Sequence, residues 1–145
     1  MYRDKTVMLI DDSGIDNYVN EKTILKSGFA RSVFVCDNAP IALKYLRSAG
    51  SQEKPIPDII FLDLNMPVFD GRQFLAEYRS LSVRVREISR IVVLSSSMNP
   101  MDMQLAVKDP NVKVFLSKPL IGRNLDDLER ELFTEYATRP LSEAV

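Results

Sequence analysis

Histidine is absent from this 145-residue chain, cysteine occurs once and glycine only five times. Each scarcity removes a class of chemistry. Without imidazole there is no Ser-His-Asp or Cys-His machinery, no His-ligated zinc and no histidine general base. The lone Cys36 cannot close an internal disulfide, which points to a reducing compartment; it reads as a buried strand residue with no redox role. No glycine-rich loop follows the first apolar run, where Ser13-Gly14 offers a single glycine, so a nucleotide-phosphate cradle is not indicated. A net charge of −1 provides no basic field for gripping nucleic acid. No apolar run is long enough to cross a bilayer, and Met1 to Lys5 leads into a run of four residues, Val7 to Ile10, too short for a secretory leader. The expectation is a cytoplasmic protein with neither nucleic acid nor membrane as a direct partner. Its chemistry must come from carboxylates, hydroxyls, lysines, a bound metal or the backbone.

What is present is regular. With 46% hydrophobic and 27% charged residues, the composition suits one globular domain, long enough to bury a core without disulfides. Five short apolar runs recur: Val7 to Ile10, Val33 to Cys36, Ile59 to Leu62, Ile91 to Leu94, and Val112 to Leu116 interrupted by Lys113. Runs this short and this apolar suit strands buried on both faces of a parallel sheet.

Segments of helical length lie between them. Ile15 to Lys26 carries Ile15, Val19, Ile24 and Leu25 before a stop at Gly28, and Ala39 to Ala49 ends at Gly50. Gly71 to about Leu81, Met101 to Lys108 and Leu125 to about Ala137 complete the set. Asn38 and Asn124 are candidate N-caps, and Ser51 to Pro57 reads as a surface loop. Arg79, Arg84, Arg86 and Arg90 read as solvated, and Met98, Met101 and Met103 as core filler. Five β–α units in series predict a doubly wound α/β domain with five helices on the two faces of a five-stranded parallel sheet. The strand order 2-1-3-4-5 is expected by analogy with sheets of this class. The expected domain spans residues 1–138, with a short tail over 139–145.

The candidate site comes from the residues that close the runs. Run one ends in Asp11-Asp12, run three in Asp63, run four in Ser95-Ser96-Ser97, and run five in Ser117-Lys118-Pro119. In a parallel sheet all these ends share one edge, the edge at which open α/β sheets bind ligands. Three carboxylates there repel unless a cation intervenes. Lys118 is one cation. A hard divalent ion such as Mg²⁺, which takes oxygen ligands and one or two carboxylates, fits Asp11, Asp12 and Asp63 as metal ligands. With no histidine and a remote Cys36, a soft metal does not fit. A carboxylate can attack phosphorus to give an aspartyl phosphate, and Asp63, alone at the end of the middle run, is the candidate nucleophile. Lys118 and the Ser95 hydroxyl would then offset and hydrogen-bond the transferring group.

These residues resemble the response-regulator receiver domains of two-component signalling, over nearly the whole chain from Val7 to about Ala137. The resemblance rests on four elements in order. They are Asp11-Asp12, Phe61-Leu62-Asp63-Leu64-Asn65-Met66-Pro67 followed by Asp70-Gly71, Ser95, and Phe115-Leu116-Ser117-Lys118-Pro119. The resemblance implies a flavodoxin-like fold and a stand-alone receiver acting in a phosphorelay, not an enzyme on external substrates. Asp63 would be the phosphoacceptor and Asp12 a direct Mg²⁺ ligand. Asp11 would act largely through water, and the Asn65 carbonyl would be a further ligand. Ser95 would be the switch hydroxyl and Phe115 the switch aromatic, a position where a plain core role stays open. Lys118 would pair with Asp63 or its phosphate, and the Lys118-Pro119 bond would be cis. Implied partners are a sensor histidine kinase or phosphotransfer protein and a downstream protein target. The protein would be a monomer or a weak, phosphorylation-dependent dimer. Ser95 stands where Thr is common and Ser96 where Ala is common, which leaves the lifetime of the phosphate open. Two alternatives remain beside this reading. One is a phosphatase with an aspartyl-phosphate intermediate, for which Asn65 replaces the needed general acid. The other is a pseudo-receiver scaffold that is never phosphorylated.

Overall fold

A strand flanked by two others and covered by helices above and below must be apolar along its middle, and the central strands obey this, with polar residues only at their ends. A computed structural model describes residues 4–51, 54–96 and 99–133. Its five strands are β1 (Thr6–Ile10), β2 (Ser32–Cys36), β3 (Ile59–Leu62), β4 (Arg90–Ser95) and β5 (Val112–Ser117). They form one parallel sheet in the order β2-β1-β3-β4-β5. All four residues of β3 are buried, whereas the edge strands β2 and β5 are largely half-buried or exposed.

Successive side chains leave a strand on opposite faces. Met8, Ile10, Ile60, Leu62, Ile91 and Val93 therefore join one core, and Val7, Leu9, Ile59, Phe61, Val92 and Leu94 the other. The helices are α1 (Gly14–Ser27), α2 (Ala39–Gly50), α3 (Gly71–Tyr78), α4 (Val83–Ile88), α5 (Pro100–Lys108) and α6 (Gly122–Leu128), the last continued by a π-helical turn, Glu129–Phe133. The first core packs residues of α2, α3, α4 and α5; the second packs those of α1 and α6.

Among the described residues, six α-helices replace the expected five. The third segment stops at Tyr78, and a separate short helix, α4, begins after Ser82, whose hydroxyl accepts from Val85 N–H. Only Val85 of α4 is buried, so the segment carries too little apolar periodicity to announce itself. Asn38 does cap α2, accepting from Ile41 N–H at 2.9 Å. Asn124 does not cap α6: the helix starts earlier, and Asn124 Oδ1 accepts the N–H of Ile121 from inside the first turn.

The phase of α1 also differs from expectation. Ile15, Val19 and Leu25 are exposed, and the buried residues are Asn17, Asn20 and Ile24. The first turns of α1 lie beside polar groups rather than the core, so its inner face there is polar. Three of the arginines are not simply solvated. Arg79 pairs with the buried Asp109 at 2.9 Å, and the Arg90 guanidinium lies 4.8 Å from the Phe133 ring centroid. Half-buried Arg86 donates from Nε to the Leu81 carbonyl at 3.0 Å. Met101 is exposed rather than core, and Met98 lies outside the described residues, as do Ser97, the last four residues expected in the final helix and the tail. In the segment read as a loop, Ile56 and Pro57 are buried. No helix among the described residues is long and apolar enough to cross a membrane.

Candidate functional site

Parallel register carries the chemistry to one edge. Ile10 pairs with Leu62, Leu62 with Val93, and Ser95 with Ser117. The residues just beyond these strands, Asp11, Asp12, Asp63 and Lys118, therefore emerge together. Carboxylate oxygens of Asp11, Asp12 and Asp63 all lie within 4.8 Å of one another. Asp11 and Asp63 are buried and Asp12 is exposed. An all-oxygen set of this kind, open on one side, suits a hard divalent cation that keeps part of its water shell.

Local structure fixes each group. Asp63 Oδ1 accepts the Asn65 N–H at 3.1 Å, and the Asp63 N–H donates to the Ile10 carbonyl at 3.0 Å. Asp11 Oδ1 accepts the Ser13 N–H at 2.9 Å, and the Asp11 carbonyl accepts from Asn17 Nδ2 at 2.8 Å. Ser95 is fully buried and its Oγ accepts from Asn65 Nδ2 at 3.2 Å. The Lys118 N–H donates to the Ser95 carbonyl at 3.0 Å, and the Lys118–Pro119 peptide bond is cis. Phe115 is half-buried against the first core and pairs with Val93, two residues before Ser95.

Lys118 is the hub. Its Nζ lies 2.5 Å from Asp11 Oδ2, 2.8 Å from Asp16 Oδ2 and 3.4 Å from Asp63 Oδ2. Burial works against the ammonium, but the hydrogen bonds to Asp11 and Asp16 and the charges of Asp63 and Asp11 hold it charged, above its ordinary range. The pKa of Asp63 is also raised, which for a carboxyl favours the neutral form. Burial, with the nearby charge of Asp11, pushes its carboxyl up to about 6, against the pull of the Asn65 N–H and of Lys118. One carboxyl of the set thus holds its proton more readily than a free carboxyl does. Cys36 is buried, and burial first and Asp37 second push its thiol up to about 11, away from reactive thiolate character.

The strand ends point to Asp11, Asp12, Asp63, Ser95 and Lys118, and the receiver resemblance adds Asn65; the structure brings these residues together. Sequence reasoning missed Asp16, Asn17 and Asn20. Asn17 Oδ1 is buried without a hydrogen-bond partner, and Asn17 and Asn20 line a small space with Asp11 and Asp63. The available signal was position: these three residues occupy the first two turns of a helix that starts immediately after Asp11-Asp12.

The close approach of α3 to the Asp63 loop depends on one glycine. A Cβ on Gly71 would meet Leu64 Cα at 2.6 Å and the Asp63 carbonyl oxygen at 2.8 Å. Gly71 N–H in turn donates to the Leu64 carbonyl at 3.1 Å. Asp70 and Gln73 close a capping box at the start of the same helix.

Comparison with known proteins agrees in kind. The family described as "Response regulator receiver domain" matches residues 7–129. The response regulator Rcp1 of Synechocystis sp. is 32% identical over 125 residues, 86% of this chain and 81% of that protein. The crystal structure of a response regulator receiver protein from Dyadobacter fermentans superposes with a TM-score of 0.76 at 35% identity, covering 86% of this chain and 95% of that one. The Mn²⁺-bound form of Rcp1 superposes with a TM-score of 0.69 at 26% identity, covering 88% of this chain and 93% of that one.

Proposed function

Because the chain belongs to the response regulator receiver domain family, we propose that it accepts a phosphoryl group on Asp63, switches conformation and controls a protein partner. The observation that carries this reading is the convergence of Asp11, Asp12, Asp63 and Lys118 at one sheet edge. A carboxylate oxygen of Asp63 attacks phosphorus, the P–N bond of a phosphohistidine breaks, and the imidazole leaves with the bonding pair. The donor is a sensor histidine kinase or phosphotransfer protein, since this chain has no histidine of its own. Mg²⁺ held by Asp11, Asp12, Asp63 and the Asn65 carbonyl would offset charge on the transferring group. That Rcp1 has a Mn²⁺-bound form supports a divalent cation here.

Lys118 offsets the charge that remains. The Ser95 hydroxyl, engaged by Asn65 Nδ2 in the unmodified protein, turns to donate to a phosphoryl oxygen. Phe115, half-buried beside β4, is placed to follow that movement and alter the face formed by β5 and α5. The protein is then a cytoplasmic signalling switch rather than an enzyme, since Asn65 stands where a phosphatase of this chemistry needs an acid.

Incubation with phosphoramidate and Mg²⁺ tests the reading. The expected product is one acid- and base-labile phosphate per chain, lost in Asp63→Asn and in EDTA. A protein that stays unmodified and whose spectra ignore beryllofluoride would instead be a scaffold.

A further inference from the structure

One partner of Lys118 lies outside the carboxylate set assigned to the metal and to the phosphoryl group. Asp16 lies in the first turn of α1, where its N–H is held by Ser13 Oγ at 3.2 Å. Its carboxylate accepts from Lys118 Nζ at 2.8 Å, closer than Asp63 does at 3.4 Å. The three carboxylates differ in setting. The side chains of Asp11 and Asp63 are each 7% exposed, that of Asp16 is 41% exposed, and that of Lys118 is 11% exposed. Asp16 also lines an open groove with Val19, Asn20, Ser96, Lys118 and Pro119, so its side chain has water and room to swing away.

An ammonium has three donors, and here three carboxylates face them. Phosphorylation changes two of the three acceptors. Asp63 would become an acyl phosphate, whose oxygens need a donor, and Asp11 would be engaged by the divalent cation that the transfer uses. Asp16, which neither receives the phosphoryl group nor belongs to the carboxylate set that would hold the cation, keeps its claim on Lys118 unchanged. Being partly solvated, it is also the carboxylate that gives up the lysine at least cost, because its oxygens return to water.

Resting on the receiver reading, we propose that Asp16 is a positioning residue that latches Lys118 in the unphosphorylated protein and competes with the phosphoryl group for its ammonium. Asp16 therefore sets how tightly the site holds a phosphoryl group without touching that group itself. The latch is electrostatic, so Asn at this position loosens it and Glu retains it.

The test uses the whole chain, saturating Mg²⁺ and beryllofluoride as the phosphoryl mimic, with occupancy followed by fluorine NMR. The expected result is that Asp16→Asn binds beryllofluoride about two- to fivefold more tightly than wild type, the scale of a partly exposed ion pair. Asp16→Glu returns toward wild type, and the Lys118 side-chain nitrogen resonance of the free protein shifts in Asp16→Asn but not in Asp16→Glu. Equal or weaker beryllofluoride binding by Asp16→Asn, with wild type binding normally, overturns the latch alone. A wild type that takes up no beryllofluoride overturns the receiver reading with it.

Discussion

Lys118 Nζ lies 2.5 Å from Asp11 Oδ2, on the carboxylate assigned to the metal rather than the one assigned to phosphate. On the proposed reading the lysine occupies oxygens that a divalent cation would also use, so the two would compete. Lys118→Met is expected to raise Mg²⁺ affinity by about three- to tenfold, since the carboxylates regain charge that only the ion can offset. In EDTA the same variant is expected to lose ~3 kcal/mol of stability, the cost of stranding buried carboxylates. Calorimetric Mg²⁺ titration and chemical denaturation read the two effects; Mg²⁺ affinity that falls would refute the competition.

Asp63 predicts a dependence on pH. Its carboxyl is raised from 3.8 to about 6, mainly by burial, so the folded protein favours the protonated form. The stability this contributes is complete below the unfolded value and is lost as pH rises through about 6. Asp63→Asn removes the titration. In EDTA, its melting temperature should exceed that of wild type by a margin that widens from about pH 4 to about pH 7. Saturating Mg²⁺ should narrow that margin at neutral pH by favouring the wild-type carboxylate. A margin independent of pH would refute the assignment.

Gly71 predicts a steric effect. A methyl group there would press on Leu64 Cα and the Asp63 carbonyl oxygen, backbone atoms that cannot step aside as a side-chain end can. Gly71→Ala is expected to cost roughly 1–3 kcal/mol, as overpacking does, and to slow modification of Asp63 by shifting its loop. Denaturation midpoints and phosphoramidate kinetics check the pair of effects.

Val68 predicts a gain. It has φ 68°, a left-handed backbone that a β-branched residue adopts at a cost, and its side chain is wholly exposed. With no packing to forfeit, Val68→Gly is expected to stabilise by roughly 0.5–1 kcal/mol after the entropic cost of glycine is subtracted. Urea denaturation of the two proteins decides it, and a loss of stability would show that Val68 is not strained.

The sequence alone determined the strands and the residues at their ends. A parallel sheet covered on both faces demands uninterrupted apolar runs, and such runs leave Asp11, Asp12, Asp63, Ser95 and Lys118 as visible punctuation. It misplaced the face of α1, where Ile15 and Val19 suggest an apolar stripe but Asn17 and Asn20 are the residues turned inward. Helix phase depends on the neighbours, and the neighbours of the first turns of α1 are carboxylates rather than core. Only the tertiary structure decided how Lys118 divides itself among its partners. The contest with Asp11, Asp16 and Asp63 depends on tenths of an ångström and on unequal access to water, between residues that lie 55 to 107 positions away along the chain. Local pattern carries no information about such distances, because they are set by where strands and helices remote in sequence come to rest.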